Sequence, residues 1–160
     1  MKALSKSSKY AALLVATIVS IGIAKTVYAQ AAPAYTLTVD VTGVQSKTGQ
    51  ICMEVYNKEQ GFPDDLGSGV QSDCVAITGD TVRKQFTGLP AGTYAVALVD
   101  DQNGDRKLNK DIFGVPQEGF GVSNNPTVSP TTGTPKFSQA SFPVTQDTTI
   151  NIVMKYKLDS

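Results

Sequence analysis

The sequence contains no histidine, and its only two cysteines are Cys52 and Cys74. Without histidine, the chain cannot form a Ser–His–Asp triad, a histidine zinc site or an imidazole acid–base pair. No Cys-x-x-Cys spacing is present to activate a thiol. These absences favour a non-catalytic protein.

One long apolar run is present, and it lies near the amino terminus. Lys2, Lys6 and Lys9 precede a run from about residue 10 to residue 24, and Val27-Tyr28-Ala29 follows. This order predicts a secretory signal over residues 1–29, cleaved after Ala29. A membrane anchor is the alternative, since about 20 apolar residues span a bilayer. Because no positive stop-transfer cluster follows Ala29, we expect cleavage, no remaining membrane span, and a periplasmic or secreted protein.

Cleavage changes the charge of the chain. Residues 1–29 hold four lysines and no acidic residue, so the predicted mature chain has ten basic and fourteen acidic residues and a net charge of −4. An acidic chain argues against nucleic acid or anionic lipid as the main partner, because both are bound through basic patches. We expect a short linker over residues 30–34 and a single domain over residues 35–157, a length that suits one core. We expect the domain to be a monomer.

The two cysteines fit an exported domain. In an oxidising compartment, Cys52 and Cys74 most simply form one disulfide. Two buried free thiols are the alternative.

Side-chain alternation predicts strands along most of the remaining chain. In residues 35–42 apolar and polar residues alternate, which is typical of a strand with one face in a core. The segment Thr93–Val99 is apolar on both faces, which indicates a central strand. No helical period is evident. The chain therefore predicts an all-β sandwich of about seven strands, over residues 35–42, 51–56, 70–77, 81–86, 93–99, 137–144 and 148–156, with a long irregular loop at 100–136.

The first half of that loop has the spacing of a calcium site. Calcium binds six to eight oxygens, and alternating Asp and Asn side chains on a turning loop can supply them. Arg106 stands where such loops usually need glycine, and Ile112 stands where an acid usually closes the sphere. The alternative is a solvated turn. The candidate ligands are Asp101, Asn103, Asp105, the backbone carbonyl of Lys107, Asn109 and Asp111.

The second half of the loop interleaves aromatic residues with glycine and proline. Such a segment can fold onto a sheet face, because glycine allows close backbone approach and aromatic rings bury large areas. The composition favours a cover for a sheet face, and a recognition loop is the alternative. The candidate recognition residues are Phe113, Pro116, Glu118, Phe120 and Asn124.

These segments resemble a family of small secreted bacterial proteins, domain of unknown function 2141. The resemblance lies in Leu89-Pro90-Ala91-Gly92-Thr93-Tyr94-Ala95, in the loop with Asp101, Asn103 and Gly104, and above all in residues 113–124. Members often have a histidine where this chain has Asp100, and a second glycine where it has Arg106. The segment over residues 89–94 is also similar to a turn of prealbumin-like sandwich domains. By analogy, this resemblance implies an Ig-like or prealbumin-like antiparallel Greek-key sandwich.

Two functions are compatible with these patterns. The first is a non-catalytic exported module that binds an envelope protein or a glycan. The second is a glycosidase-like hydrolase, in which Glu118 acts with Asp100, Asp101 or Asp111 as a carboxylate pair. The positions of these carboxylates in the fold discriminate between the two.

Overall fold

The computed structural model describes residues 32–65 and 67–160. The predicted signal over residues 1–29 lies outside them. Residues Ala32–Ser160 form one compact unit. Within the described part of the chain, no helix has the length and apolar content needed to cross a membrane.

The described residues form eight strands and one helical turn. In chain order they are β1 (Ala34–Thr42), β2 (Gln50–Tyr56), β3 (Gln71–Ala76), β4 (Thr81–Pro90), β5 (Gly92–Asp101), β6 (Phe120–Val122), α1 (Phe137–Ala140), β7 (Phe142–Val144) and β8 (Thr148–Val153).

The strands form two sheets, which confirms the predicted sandwich. The smaller sheet has the order β4-β1-β8, and the larger has the order β3-β2-β5-β6, with β7 also paired to β5. The central position of β5 agrees with its two apolar faces. One pair departs from the antiparallel prediction, because β1 and β8 run parallel, with Leu37 opposite Thr148. Side-chain alternation predicts that a segment is a strand, but it does not predict whether that strand runs parallel or antiparallel to its neighbour.

Two sequence predictions of local structure are wrong in detail. The predicted strand over residues 137–144 begins with the helical turn α1, and only Phe142–Val144 is extended. The backbone amide of Lys136 donates to the Gln139 side chain at 2.8 Å, a capping contact that favours the turn. The predicted irregular stretch over 100–136 begins only after Asp101 and contains β6, which pairs with β5.

The main core lies between the two sheets, where buried aliphatic side chains from both inner faces meet. Leu37, Val39 and Val41 of β1 face Ile51, Met53 and other residues of the larger sheet. The outer face of the larger sheet is buried as well, since a second small cluster lies there. Its members are Ala95, Val122 and Ala140, with Phe62 and Phe137 packed against them.

Cys52 and Cys74 form a disulfide, as the sequence predicts. The two residues lie directly opposite each other on β2 and β3, with their Cα atoms 4.0 Å apart. The bond joins the edge strand β3 to its neighbour on the outer face of the larger sheet.

Candidate functional site

An apolar cleft lies on the outer face of the larger sheet, where the covering loops leave part of the sheet open. Ala97 and Val99 of β5 pair with Val122 and Phe120 of β6, so these four residues share the outer face. They line the cleft, which has a volume of about 310 Å³. This size is at the lower end of the range for small-molecule sites. We call it the outer cleft.

Segments that are distant in sequence form the walls of the outer cleft. Pro63 and Asp64 come from the connection after β2, and Leu158 comes from the carboxyl-terminal tail. The tail is held in place because the backbone amide of Asp159 donates to the Val128 carbonyl at 2.7 Å. The remaining wall residues are Leu108, Lys110, Phe113, Gly114, Val115, Pro116, Val128, Ser129, Pro130, Gly133, Thr134 and Pro135.

One wall is a tight turn over residues 110–116, which we call the apolar turn. Lys110 and Pro116 form a β-bridge at its base. The Asp111 carboxylate accepts the backbone amides of Phe113 and Val115 at 2.8 and 2.9 Å. This turn presents Ile112 and Phe113 to solvent, with 93% and 84% of their surface exposed. The backbone is therefore pinned while the two largest apolar side chains project outward.

Glu118 joins the two ends of the loop over residues 102–109, beside the outer cleft. One carboxylate oxygen accepts the backbone amide of Gln102 at 3.3 Å, and the other accepts that of Asn109 at 3.1 Å. Both oxygens thus bind backbone within the loop. In the hydrolase hypothesis Glu118 would act as acid or base, but here its hydrogen bonds hold the chain.

Asp100 is completely buried, and its carboxylate is enclosed by hydrogen-bond donors. Ser46 and Tyr156 donate their hydroxyls to it, each at 2.5 Å, and Gln102 donates its side-chain amide. Burial, together with this bond to Asp100, raises the pKa of the Tyr156 hydroxyl. The carboxylate joins three chain segments and has no exposed surface for a substrate.

The predicted calcium ligands lie in a loop whose oxygens accept backbone amides. Asp101 accepts the amides of Gly104 at 2.7 Å and Arg106 at 3.2 Å. Asn103 accepts the amide of Asp105, and Asp105 accepts that of Lys107, which is the main cause of a lowered Asp105 pKa. Within residues 32–65 and 67–160, no three His, Cys, Asp or Glu side chains are grouped to hold a metal ion. Calcium binding stays a prediction.

The other two predicted calcium ligands differ in position. The Asn109 side chain lies beside the Asp105 carboxylate and helps to lower its pKa, whereas Asp111 lies at the apolar turn, where its carboxylate binds the turn backbone. Asn109 pairs through its backbone with Glu118 and with Gln117, whose amide donates to the Asn109 carbonyl at 2.8 Å.

The five candidate recognition residues divide into two groups. Phe113, Pro116 and Phe120 line the outer cleft. Glu118 and Asn124 instead hold the backbone, since the Asn124 side chain donates to the carbonyls of Gln139 and Ser141 at 3.3 and 3.0 Å. The sequence prediction therefore mixed lining residues with anchoring residues.

Sequence reasoning missed Glu54, which is buried on the outer face of β2. Its carboxylate accepts the amides of Gly67, at 2.6 Å to the nearer oxygen, and of Gly69. This holds the connection after β2 against the sheet. The only signal was a charged residue within the apolar run Ile51–Tyr56.

A second cleft, of about 510 Å³, adjoins the outer cleft and has charged walls of both signs, including Asp65, Asp73 and Arg106. Asp64 and Lys110 line both clefts. The Lys110 ammonium lies 3.3 Å from the Asp64 carboxylate, so this ion pair stands at the shared border.

Comparison with known proteins identifies one relationship. A family model described as an uncharacterized protein conserved in bacteria, DUF2141, matches residues 39–151. This region includes most of both sheets and most of the outer cleft. No curated protein and no solved structure gives a significant match.

Proposed function

The chain belongs to the bacterial family DUF2141, and we propose that it is a non-catalytic exported binding module whose outer cleft takes a small apolar ligand. The observation that carries the proposal is the outer cleft itself, an apolar concavity of about 310 Å³ on a rigid sheet. Ligand sites of this kind are concave, mostly apolar and largely preformed.

The contents of the cleft support an apolar ligand. Ala97, Val99 and Val122 contribute only aliphatic surface, and Phe120 adds a buried ring. Of the described residues that line it, Asp64 and Lys110 alone carry charge, and they pair with each other. An apolar ligand gains free energy by leaving water for such a surface, at roughly 25 cal/mol per Å². The small volume favours a compact molecule over a peptide strand or a glycan chain.

The state of the acidic residues supports a non-catalytic role. Glu118 binds two backbone amides, and Asp100 is buried under three donors. In a glycosidase, the two catalytic carboxyl groups lie on opposite sides of the glycosidic bond that is cleaved, and both must reach the substrate. In this proposal the carboxylates instead shape the loop beside the cleft.

Export is part of the proposal. The predicted signal over residues 1–29 motivates it, and the Cys52–Cys74 disulfide is compatible with an oxidising compartment. Mass spectrometry of the protein recovered from the cell envelope and from the medium tests it. We expect the mass of a chain that begins at residue 30. The mass of the unprocessed chain would contradict export through a cleaved signal.

Calcium in the Asp101 loop is a separate part of the proposal, motivated by the spacing of Asp101, Asn103 and Asp105. An ion would share the Asp101 carboxylate with the amides of Gly104 and Arg106, each of which occupies one of its oxygens. We expect any such binding to be weak, near the millimolar affinity of extracellular calcium modules, about 10⁻⁴ to 10⁻³ M.

A titration with Nile red, a neutral apolar dye, tests the cleft. We expect saturable binding with one dye per chain, and a loss of at least about tenfold in affinity for Ala97→Leu, which fills the floor. The matched control is Ala76→Leu, at the exposed end of β3. If the cleft instead binds an envelope protein or a glycan, we expect no dye binding. Equal dye binding by the two variants would show that the dye does not bind in the outer cleft.

A further inference from the structure

The second cleft shares a border with the outer cleft. Asp64, Leu108 and Lys110 line both cavities. The ion pair between Asp64 and Lys110 does not seal the border, because 55% and 35% of the two side chains remain exposed. A bound molecule can therefore occupy both clefts at once.

The outer cleft has room for a short hydrocarbon chain. Its walls are mostly apolar, and its volume is about 310 Å³. A group the size of a water molecule takes up about 30 Å³ in a liquid, so about ten such groups fit. Because a methylene group is of similar size, the outer cleft suits a tail of about ten carbon atoms.

The second cleft holds unpaired charges of both signs. Among the residues that the structure describes, the exposed side chains of Asp65, Arg106 and Lys107 line this cleft and form no ion pair. The pKa of Asp73 in the same wall is lowered chiefly by its bond to Lys84, and the nearby charge of Arg106 adds to this effect. Groups of both signs are thus available to one bound molecule.

Other carboxylates of the second cleft are engaged by the chain itself. Glu54 accepts the backbone amides of Gly67 and Gly69, and Asp105 accepts that of Lys107 at 2.8 Å. Their hydrogen bonds hold backbone segments in place. This leaves the unpaired side chains to face a ligand.

Arg106 has a backbone conformation that favours glycine. Its φ is 60°, in the left-handed region that residues other than glycine seldom adopt. The loop uses its backbone amide, which donates to Asp101 at 3.2 Å, and a glycine would supply the same amide. In the described part of the chain, the guanidinium forms no ion pair. An arginine at this costly position indicates a use for the guanidinium in the second cleft.

We propose that the two clefts together bind a single-chain zwitterionic amphiphile, with its hydrocarbon tail in the outer cleft and its head group in the second cleft. The phosphate of the head group binds Arg106 and Lys107, and its ammonium binds Asp65. The inference rests on the proposed function, since the outer cleft takes the apolar part of the ligand. A purely anionic head group would meet the carboxylates of Asp65 and Asp73, and a purely cationic one would meet the unpaired cations.

Displacement of Nile red tests this inference with four probes that share a decyl tail and differ in the head group. They are zwitterionic decylphosphocholine, cationic decyltrimethylammonium, anionic decyl sulfate and uncharged 1-decanol. Each probe is used below the concentration at which it forms micelles, with the exported protein at low salt, because salt screens exposed charges. We expect all four to displace the dye, and decylphosphocholine to do so at about fivefold lower concentration than the others.

Variants that remove one charge locate the head group. Arg106→Gly should need about fivefold more decylphosphocholine or decyl sulfate to displace the dye, with 1-decanol unaffected. It should stay folded, because glycine adopts this φ without strain. Its control is Lys47→Gln, which removes a charge outside both clefts. Asp65→Asn should weaken decylphosphocholine and decyltrimethylammonium, and Asp80→Asn is the matched control.

NMR separates the head group from the tail. With decylphosphocholine, the backbone amides of Arg106 and Lys107 and the methyl groups of Val99 and Val122 should shift, whereas 1-decanol should shift the methyl groups alone. Equal displacement by decylphosphocholine and 1-decanol would overturn the zwitterionic head group and leave the outer cleft as an apolar site. Tighter binding of either singly charged probe, or an Arg106→Gly variant that matches its control, would overturn it in the same way. A protein that binds no Nile red would contradict the proposed function itself.

Discussion

The Glu118 carboxylate accepts the backbone amide of Asn109 at 3.1 Å, and its other oxygen accepts that of Gln102 at 3.3 Å. One side chain thereby joins the two ends of residues 102–109, which contain four of the six predicted calcium ligands. This relationship explains why the loop has a defined shape beside the outer cleft.

Glu118→Gln should loosen this segment, because a glutamine side chain has one acceptor oxygen where the carboxylate has two. We expect a stability loss of about 1.5–3 kcal/mol, typical of hydrogen bonds to a charged group. Amide hydrogen exchange should quicken at Gln102 and Asn109. Glu59→Gln, at an exposed position, is the control. Unchanged exchange at both amides would contradict the anchoring role.

Removing the disulfide should destabilise the domain. The cysteines are separated by 22 residues, and closing a loop of this size stabilises a fold by roughly 3 kcal/mol on the chain-entropy model. Urea unfolding of Cys52→Ala/Cys74→Ala measures the loss. The reduced unmodified chain is the control, since it lacks the bond but keeps the side chains. Equal stability of oxidised and reduced protein would show that the bond does not stabilise the fold.

The ion pair between Arg83 and Asp40 should make stability depend on pH in the acid range. The Arg83 guanidinium, which makes two bonds to Asp40 at 2.5 and 2.8 Å, lowers the pKa of that carboxyl below its ordinary value of 3.8. A lowered folded-state pKa stabilises the fold above the unfolded-state pKa, and this contribution disappears as the pH falls through the folded-state value.

Asp40→Asn should therefore lower stability near neutral pH and differ little from the unmodified chain in strong acid. Urea unfolding over a pH series measures both. Thr38→Ser, a neighbouring substitution on the same strand that keeps a hydroxyl, is the control. A difference between Asp40→Asn and the unmodified chain that stays constant across the series would contradict the assignment.

Calcium binding by the Asp101 loop predicts a gain in thermal stability. At several times the dissociation constant, the ion should add about 1 kcal/mol relative to excess chelator. Asp105→Asn should reduce that gain because it removes a charged ligand, and Asp80→Asn, in the turn before β4, should not. Identical melting with calcium and chelator would remove the ion from this account.

The sequence predicted the sandwich and the disulfide because both follow from local patterns. Alternation at Leu37, Val39 and Val41 indicates a strand with a buried face, and two cysteines in a chain that is predicted to be exported indicate a bond. The roles of Glu54 and Glu118 were beyond such reasoning. Their partners are backbone amides of other segments. Because almost every residue has a backbone amide, a sequence does not show which amide a carboxylate will bind.

The outer cleft was also beyond sequence reasoning, for a related reason. Its lining comes from Pro63, Val99, Phe120, Pro130 and Leu158, which no periodic pattern connects. The aromatic run at residues 113–124 did indicate a segment that folds onto a sheet. The structure divides that run into exposed Phe113 at the tip, buried Phe120 on the sheet, and the anchors Glu118 and Asn124.

The most direct test of the central claim is a methyl NMR titration with Nile red. The outer cleft contains the methyl groups of Val99, Val122 and Val128, whereas those of Val39 and Val41 lie between the sheets. We predict concentration-dependent shifts of the three cleft valines, with Val39 and Val41 unmoved. Shifts confined to other methyl groups, or no shift in any of the five, would contradict a ligand site in the outer cleft.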